Sequence, residues 1–152
     1  PHRSPHNIAR VEDLLLGDFI LEARIQSTEP EYGHRDMCIF LGYNDPVHFY
    51  YVHIATQADP AANSIFIVDE ADRLSIAETR TDGTRWLDDH FHVVRIVRTV
   101  ESGRIEVYFD NMDTPIMTAN DTTFPTGTIG FGSFDDRGMI DTVRIWGERI
   151  ED

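Results

Sequence analysis

Residues 92–110 read HVVRIVRTVESGRIEVYFD, and this stretch decides the fold. Two runs rich in β-branched and aromatic residues, 92–99 and 104–110, flank the short Glu101-Ser102-Gly103 segment. Period-two runs place alternate side chains on opposite faces of a strand. A short glycine-bearing loop between two of them predicts an antiparallel hairpin.

Working outward, similar runs recur at 36–43, 48–55, 64–69, 73–79, 115–119, 128–134 and 139–146. Breaker clusters separate them: Asn44-Asp45-Pro46, Asp82-Gly83 and Asp135-Asp136-Arg137-Gly138. From Asp18 onward Phe19, Leu21, Ala23 and Ile25 fall on one side of a strand, with Ile20, Glu22, Arg24 and Gln26 on the other. About ten short strands, and no stretch that holds a helical period for three turns, predict an all-β sandwich or barrel. No helix longer than about two turns is expected between Asp18 and Trp146. Residues 1–17 carry two prolines and neither strict alternation nor a long helical period, so they read as a lead-in segment with at most one short strand or turn. Residues 18–152 then form a single domain.

The 152-residue length fits one core without disulfides or a structural metal. Thirteen basic residues against 27 acidic ones give a formal charge of −14, which repels polyphosphate and anionic membrane surfaces. Nucleic acid and membrane are therefore unexpected partners, whereas a neutral glycan or a divalent cation is compatible. The single cysteine, Cys38, sits in an apolar run and reads as a buried, inert thiol. The chain opens on Pro1, as a processed or cut chain does.

The order Trp86-x5-His92, VRIVR, SGRIEVYFD, Pro115-Ile116, TFPTGTIGFGSFDD and IDTVRIWG resembles the last strands of a concanavalin A-like jelly-roll β-sandwich. It is similar to laminin-G-like domains and to the glucanase-like and keto-disaccharide-hydrolase-like domains of polysaccharide metabolism. The similarity spans roughly residues 86–147, with weaker support from DFILEARI at 18–25. The resemblance implies two packed antiparallel sheets, sugar lying across a concave face, and a secreted or periplasmic setting. The E-x-D-x-x-E strand of the family 16 glucanases is absent, as are the alginate-lyase motifs, so neither activity carries over.

Chemistry-bearing residues crowd between Gly33 and Ala55. Strand parity puts Tyr51 and His53 with Phe49 on one face, and His48 and Tyr50 with Val52 and Ile54 on the other. Val52 and Ile54 read as core, which assigns Tyr51 and His53 to the ligand face. There a ring could stack on a pyranose and an imidazole could bond a hydroxyl. Ordinary cross-strand packing is the alternative. Arg35 and Asp36 are adjacent and point apart; Arg35 is a candidate for fixing a carboxylate or hydroxyl, or a solvated strand start. Glu22, Arg24 and Arg95, with Glu106 and Tyr108, form a candidate polar floor of alternating sign. Trp86 is a stacking platform or core.

Four acidic clusters, Asp59, Asp69-Glu70-Asp72, Asp110-Asn111-Asp113 and Asp135-Asp136, do not match a calcium loop, and Asp110-Asn111-Met112-Asp113 sits where a hairpin turn is expected. The resemblance implies a structural calcium at Asp141, at the start of the closing strand; an edge aspartate bonding loop amides is the alternative. His90 and His92 could share a face as metal ligands, with no third ligand identifiable.

Together these readings predict carbohydrate binding on the concave sheet. The alternative is a small glycoside hydrolase or polysaccharide lyase using Tyr51, His53 and Arg35 for proton transfer. A laminin-G-like protein-interaction module is the third option.

Overall fold

The computed structural model describes residues 4, 5 and 7–151. Eleven strands are present: β1 Asn7–Ser27, β2 Asp36–Asp45, β3 His48–Ala55, β4 Ser64–Asp69, β5 Leu74–Ser75, β6 Ala77–Arg80, β7 His92–Thr99, β8 Arg104–Phe109, β9 Met117–Asn120, β10 Gly127–Ser133 and β11 Gly138–Arg149. Among the described residues there is no helix. The expected β7–β8 hairpin is antiparallel, with Ile96 opposite Val107. Its turn rests on Gly103, whose φ of +77° is in the left-handed region and where a Cβ would fall 2.7 Å from the Asp121 backbone.

All strand pairs are antiparallel, in the order β5-β4-β3-β2-β10-β1-β7-β8-β9-β6, with β11 also on β1. The two expected sheets are thus one hydrogen-bonded sheet folded over, because β1 belongs to both halves. Its first part, Asn7 to Val11, pairs with β10. Its second part, from Phe19, lies between β7 and β11. The expected break at Asp18 is absent: residues 7–17 are already strand, their pairing polar and exposed enough to mask the alternation. The 73–79 run divides at Ile76, so that β5 closes one half on β4 and β6 closes the other on β9.

Between the halves lies the main core. The front half, β5 to β10 with the start of β1, contributes Ile39, Leu41, Tyr50, Val52, Ile54, Ile65 and Ile129. The back half contributes Leu21, Ile25, Val94, Ile96, Ile105, Val107 and Met117. Gly127 lets β10 approach β2, since a Cβ there would fall 2.2 Å from the Gly42 carbonyl carbon.

Trp86 is fully buried in this core, donating Nε1–H to the Ile54 carbonyl at 3.1 Å and packing edge-on against Phe109. It is therefore core and not a stacking platform. Trp86→Ala should cost about 3–5 kcal/mol in urea unfolding, by cavity formation and an orphaned carbonyl. A loss under ~1 kcal/mol would contradict this packing role.

Candidate functional site

The outward surface of the front half carries a second apolar cluster, Cys38, Phe40, Tyr43, Phe49, Tyr51, Phe66 and Val68, with Ile8 and Phe134 packed on it. Tyr51 stacks on Phe66 at 4.9 Å, and Tyr43 stacks on Phe49 at 5.1 Å. Tyr51 and His53 therefore do share a face turned away from the main core, as parity requires. Tyr51 is nevertheless fully buried within the aromatic cluster. Burial also pushes the Cys38 thiol well above its ordinary range, with the Asp36 charge adding to it.

Near the Ala55 end of β3 this surface turns polar. The backbone N–H of Asn63 donates to His53 Nδ1 at 3.0 Å, which fixes the ring proton on Nε2, where it meets Asp36 Oδ2. The Asp36 backbone N–H donates to Asp136 Oδ2 at 2.8 Å, and the Tyr32 hydroxyl donates to Asp136 Oδ1. Burial, followed by the neighbouring Asp36 charge, raises the Asp136 carboxyl above its ordinary value, against the lowering effect of its two hydrogen bonds. Burial and the Asp136 contact likewise raise Tyr32.

These groups line a cavity of about 370 Å³ together with His34, Asp59, Ala61, Ala62, Arg73, Phe134 and Asp135. Arg80 holds its 59–63 wall in place by donating to the Asp59 and Ala62 carbonyls at 2.8 and 2.9 Å. Among the described residues Arg73 is the single guanidinium of the lining, lying 5.1 Å from the centre of the Phe134 ring. Its Nε and Nη1 are buried and have no hydrogen-bond partner among the described residues.

The other residues read from sequence lie elsewhere. Arg35 is 1% exposed and structural: Nη1 donates to the Trp86 carbonyl and to Asp88, both at 2.8 Å, while Nε donates to Ser27 Oγ at 3.1 Å. Its side chain and that of Asp36 do point apart, and Asp36 is the one that reaches the cavity. Glu22, Arg24 and Arg95 occupy the outward surface of the back half, on the opposite side of the sandwich from His53. A shared cleft with Tyr51 and His53 is thus ruled out, because Leu21, Ala23, Val94 and Ile96, their strand neighbours, fill the core between. The polar floor is real but self-paired: Arg95 Nε donates to Glu22 at 2.7 Å and Arg24 to Asp141 at 3.0 Å.

Asp141, the residue expected to hold calcium, is paired with the Arg24 guanidinium in this structure. None of the three side-chain groups close enough to share an ion among the described residues includes Asp141. His90 and His92 gain Asp110 as a third neighbour. However, His92 accepts the Leu87 N–H at Nε2 and meets Asp110 through Nδ1, so neither nitrogen is left for a metal.

Sequence reasoning passed over Tyr32, Arg73, Phe134 and the role of Asp136. Asp135-Asp136 carried a signal, read as a turn, whereas Arg73 meets the cavity only through long-range folding.

No family model and no curated protein sequence matches the chain. Solved structures do, and they establish the fold as a concanavalin A-like jelly roll. A carbohydrate-binding module, CBM66, from Bacillus subtilis aligns with TM-score 0.70 at 17% identity, over 94% of this chain and 83% of that one. Congerin II, solved with lactose and MES, aligns with TM-score 0.66 at 10% identity, over 92% of this chain and 100% of that one. Galectin-Va of Xenopus laevis aligns with TM-score 0.62 at 11% identity, over 91% and 94%.

The raised Asp136 carboxyl has a pH consequence. Its contribution to stability is fully present below the ordinary value of 3.8 and is lost as pH rises through the folded value. Wild-type melting temperature should therefore fall more between pH 4 and 7 than that of Asp136→Asn. Parallel melting curves for the two proteins would refute the assignment.

Proposed function

We propose that this chain binds carbohydrate, seating one sugar unit of a neutral glycan in the cavity between Asp36, Asp59, Arg73, Phe134 and Asp136. The observation that carries the reading is the donor and acceptor balance of that cavity. Sugar hydroxyls donate and accept, and here carboxylates accept while the guanidinium of Arg73, a residue of the lining, supplies the charged donor. A volume of about 370 Å³ lies within the ordinary range for small-ligand sites. Four aspartates against one arginine disfavour uronates and sulfated sugars. The neighbours add support, since one is a carbohydrate-binding module and another was solved with lactose.

Binding is favoured over turnover. His53 has both ring nitrogens engaged, so it has no lone pair to act as a general base. Asp136 Oδ2 accepts the Asp36 backbone N–H at 2.8 Å, so the two residues are tied together on one side of the cavity, whereas glycosidase carboxylates flank the scissile bond from opposite sides.

A glycan array followed by calorimetry on the best neutral ligand tests this. Arg73→Gln should weaken binding at least about tenfold, as expected for loss of charge-assisted hydrogen bonds, and Glu22→Gln on the opposite surface should leave it unchanged. Binding that survives Arg73→Gln but fails in Glu22→Gln would move the site to the back half. Release of reducing ends from the bound glycan would make the protein an enzyme.

A further inference from the structure

The other end of β3 carries a second arrangement, separate from the cavity. His48 begins the strand and His53 lies five residues on, roughly 17 Å away along an extended chain. His48 pairs across the ladder with Asp69, the last residue of β4. Its Nδ1 lies 2.8 Å from both carboxylate oxygens of Asp45, and Asp45 is itself fixed by the Val47 N–H at 2.9 Å. An imidazole that gives its Nδ1 proton to a carboxylate presents an Nε2 lone pair on the opposite side of the ring.

That nitrogen faces Asp69 Oδ1 at 3.8 Å and Glu70 Oε2 at 3.7 Å. Both distances are too long for hydrogen bonds. Consecutive strand residues point to opposite faces, and Glu70 escapes that rule through a φ of +55°. Its N–H is held by the Val47 carbonyl at 2.9 Å, which brings its carboxylate round beside that of Asp69. Three donor atoms therefore converge without touching one another.

Comparison with the other two histidine-containing groups sharpens the point. In Asp36–Cys38–His53 a backbone N–H occupies the imidazole lone pair, and in His90–His92–Asp110 the same is true of His92. At His48 no described group donates to or accepts from Nε2 within hydrogen-bond distance.

We propose that His48 Nε2, Asp69 and Glu70 form a binding site for a divalent transition ion of the zinc type, with Asp45 orienting the imidazole. Bonds of about 2.0–2.2 Å from nitrogen and carboxylate oxygen let one ion bridge donors at this spacing. One nitrogen and two carboxylates suit such an ion better than calcium, which prefers an all-oxygen shell. The half-exposed position of His48 leaves a further coordination place open to water. Bound there, the ion clips the β2–β3 turn to the segment after β4. It stabilises the folded chain by mass action.

The test is calorimetric titration of the full chain, free of any affinity tag, with zinc chloride, paired with thermal melting in excess zinc. The expected result is one ion per chain and a zinc-dependent rise in melting temperature. His48→Gln, and separately Asp69→Asn with Glu70→Gln, should each weaken binding at least about tenfold and remove the rise. His90→Gln should keep both. Circular dichroism of the variants without zinc shows that they fold. No saturable binding by the wild type at 100-fold molar excess, undiminished binding in His48→Gln, or loss of the site in His90→Gln would each overturn the proposal.

Discussion

Strand β1 is the constraint on which the rest of the structure depends. Its 21 residues are hydrogen-bonded to β10 at one end and to both β7 and β11 at the other. One continuous backbone therefore sets the register of both halves. A one-residue slip in either half would turn Leu21, Ala23 and Ile25 away from Val94, Ile96 and Ile129. The register change between Val11 and Leu16 is where the strand leaves one partner and takes up the next. This crossing converts a single antiparallel sheet into a sandwich and encloses the core.

Once the core side of each strand is fixed, the two outward surfaces follow, and their chemistry differs. On the back half the outward residues alternate in sign and satisfy one another, Glu22 with Arg95 and Arg24 with Asp141. Exposed pairs of this kind contribute little stability and leave few groups for a ligand. On the front half the outward residues are aromatic and pack together, so the surface is rigid up to the point where Asp36 and His53 begin. The cavity opens at that boundary, with a packed ring wall on one side and hydrogen-bonded carboxylates on the other.

The fold was legible because period-two alternation is a local property: the strands over 48–55, 64–69 and 92–99 fall where the alternation puts them. Residues 7–17 were not legible, since their exposed positions carry no apolar rhythm and their strand state comes from pairing with β10. Parity correctly separated Tyr51 and His53 from Tyr50, Val52 and Ile54. It could not say that aromatic neighbours from β2 and β4 would bury Tyr51, because parity describes one strand and burial depends on several. The cavity itself joins Tyr32, His53, Arg73 and Asp136, which lie on separate stretches of chain. No spacing rule connects them.

The two ends of β3 show how little separates a wall from an open donor. His53 and His48 each have a carboxylate at one ring nitrogen, Asp36 in the first case and Asp45 in the second. At His53 the left-handed backbone of Asn63 aims a peptide N–H at the remaining nitrogen, and the ring becomes a fixed part of the cavity lining. At His48 the left-handed backbone of Glu70 aims a carboxylate there instead. A lone pair facing an N–H is satisfied, whereas a lone pair facing two anions repels them unless a cation or a proton lies between. The same strand therefore presents a closed hydrogen-bond network at one end and, at the other, a nitrogen whose neighbours favour a positive charge between them.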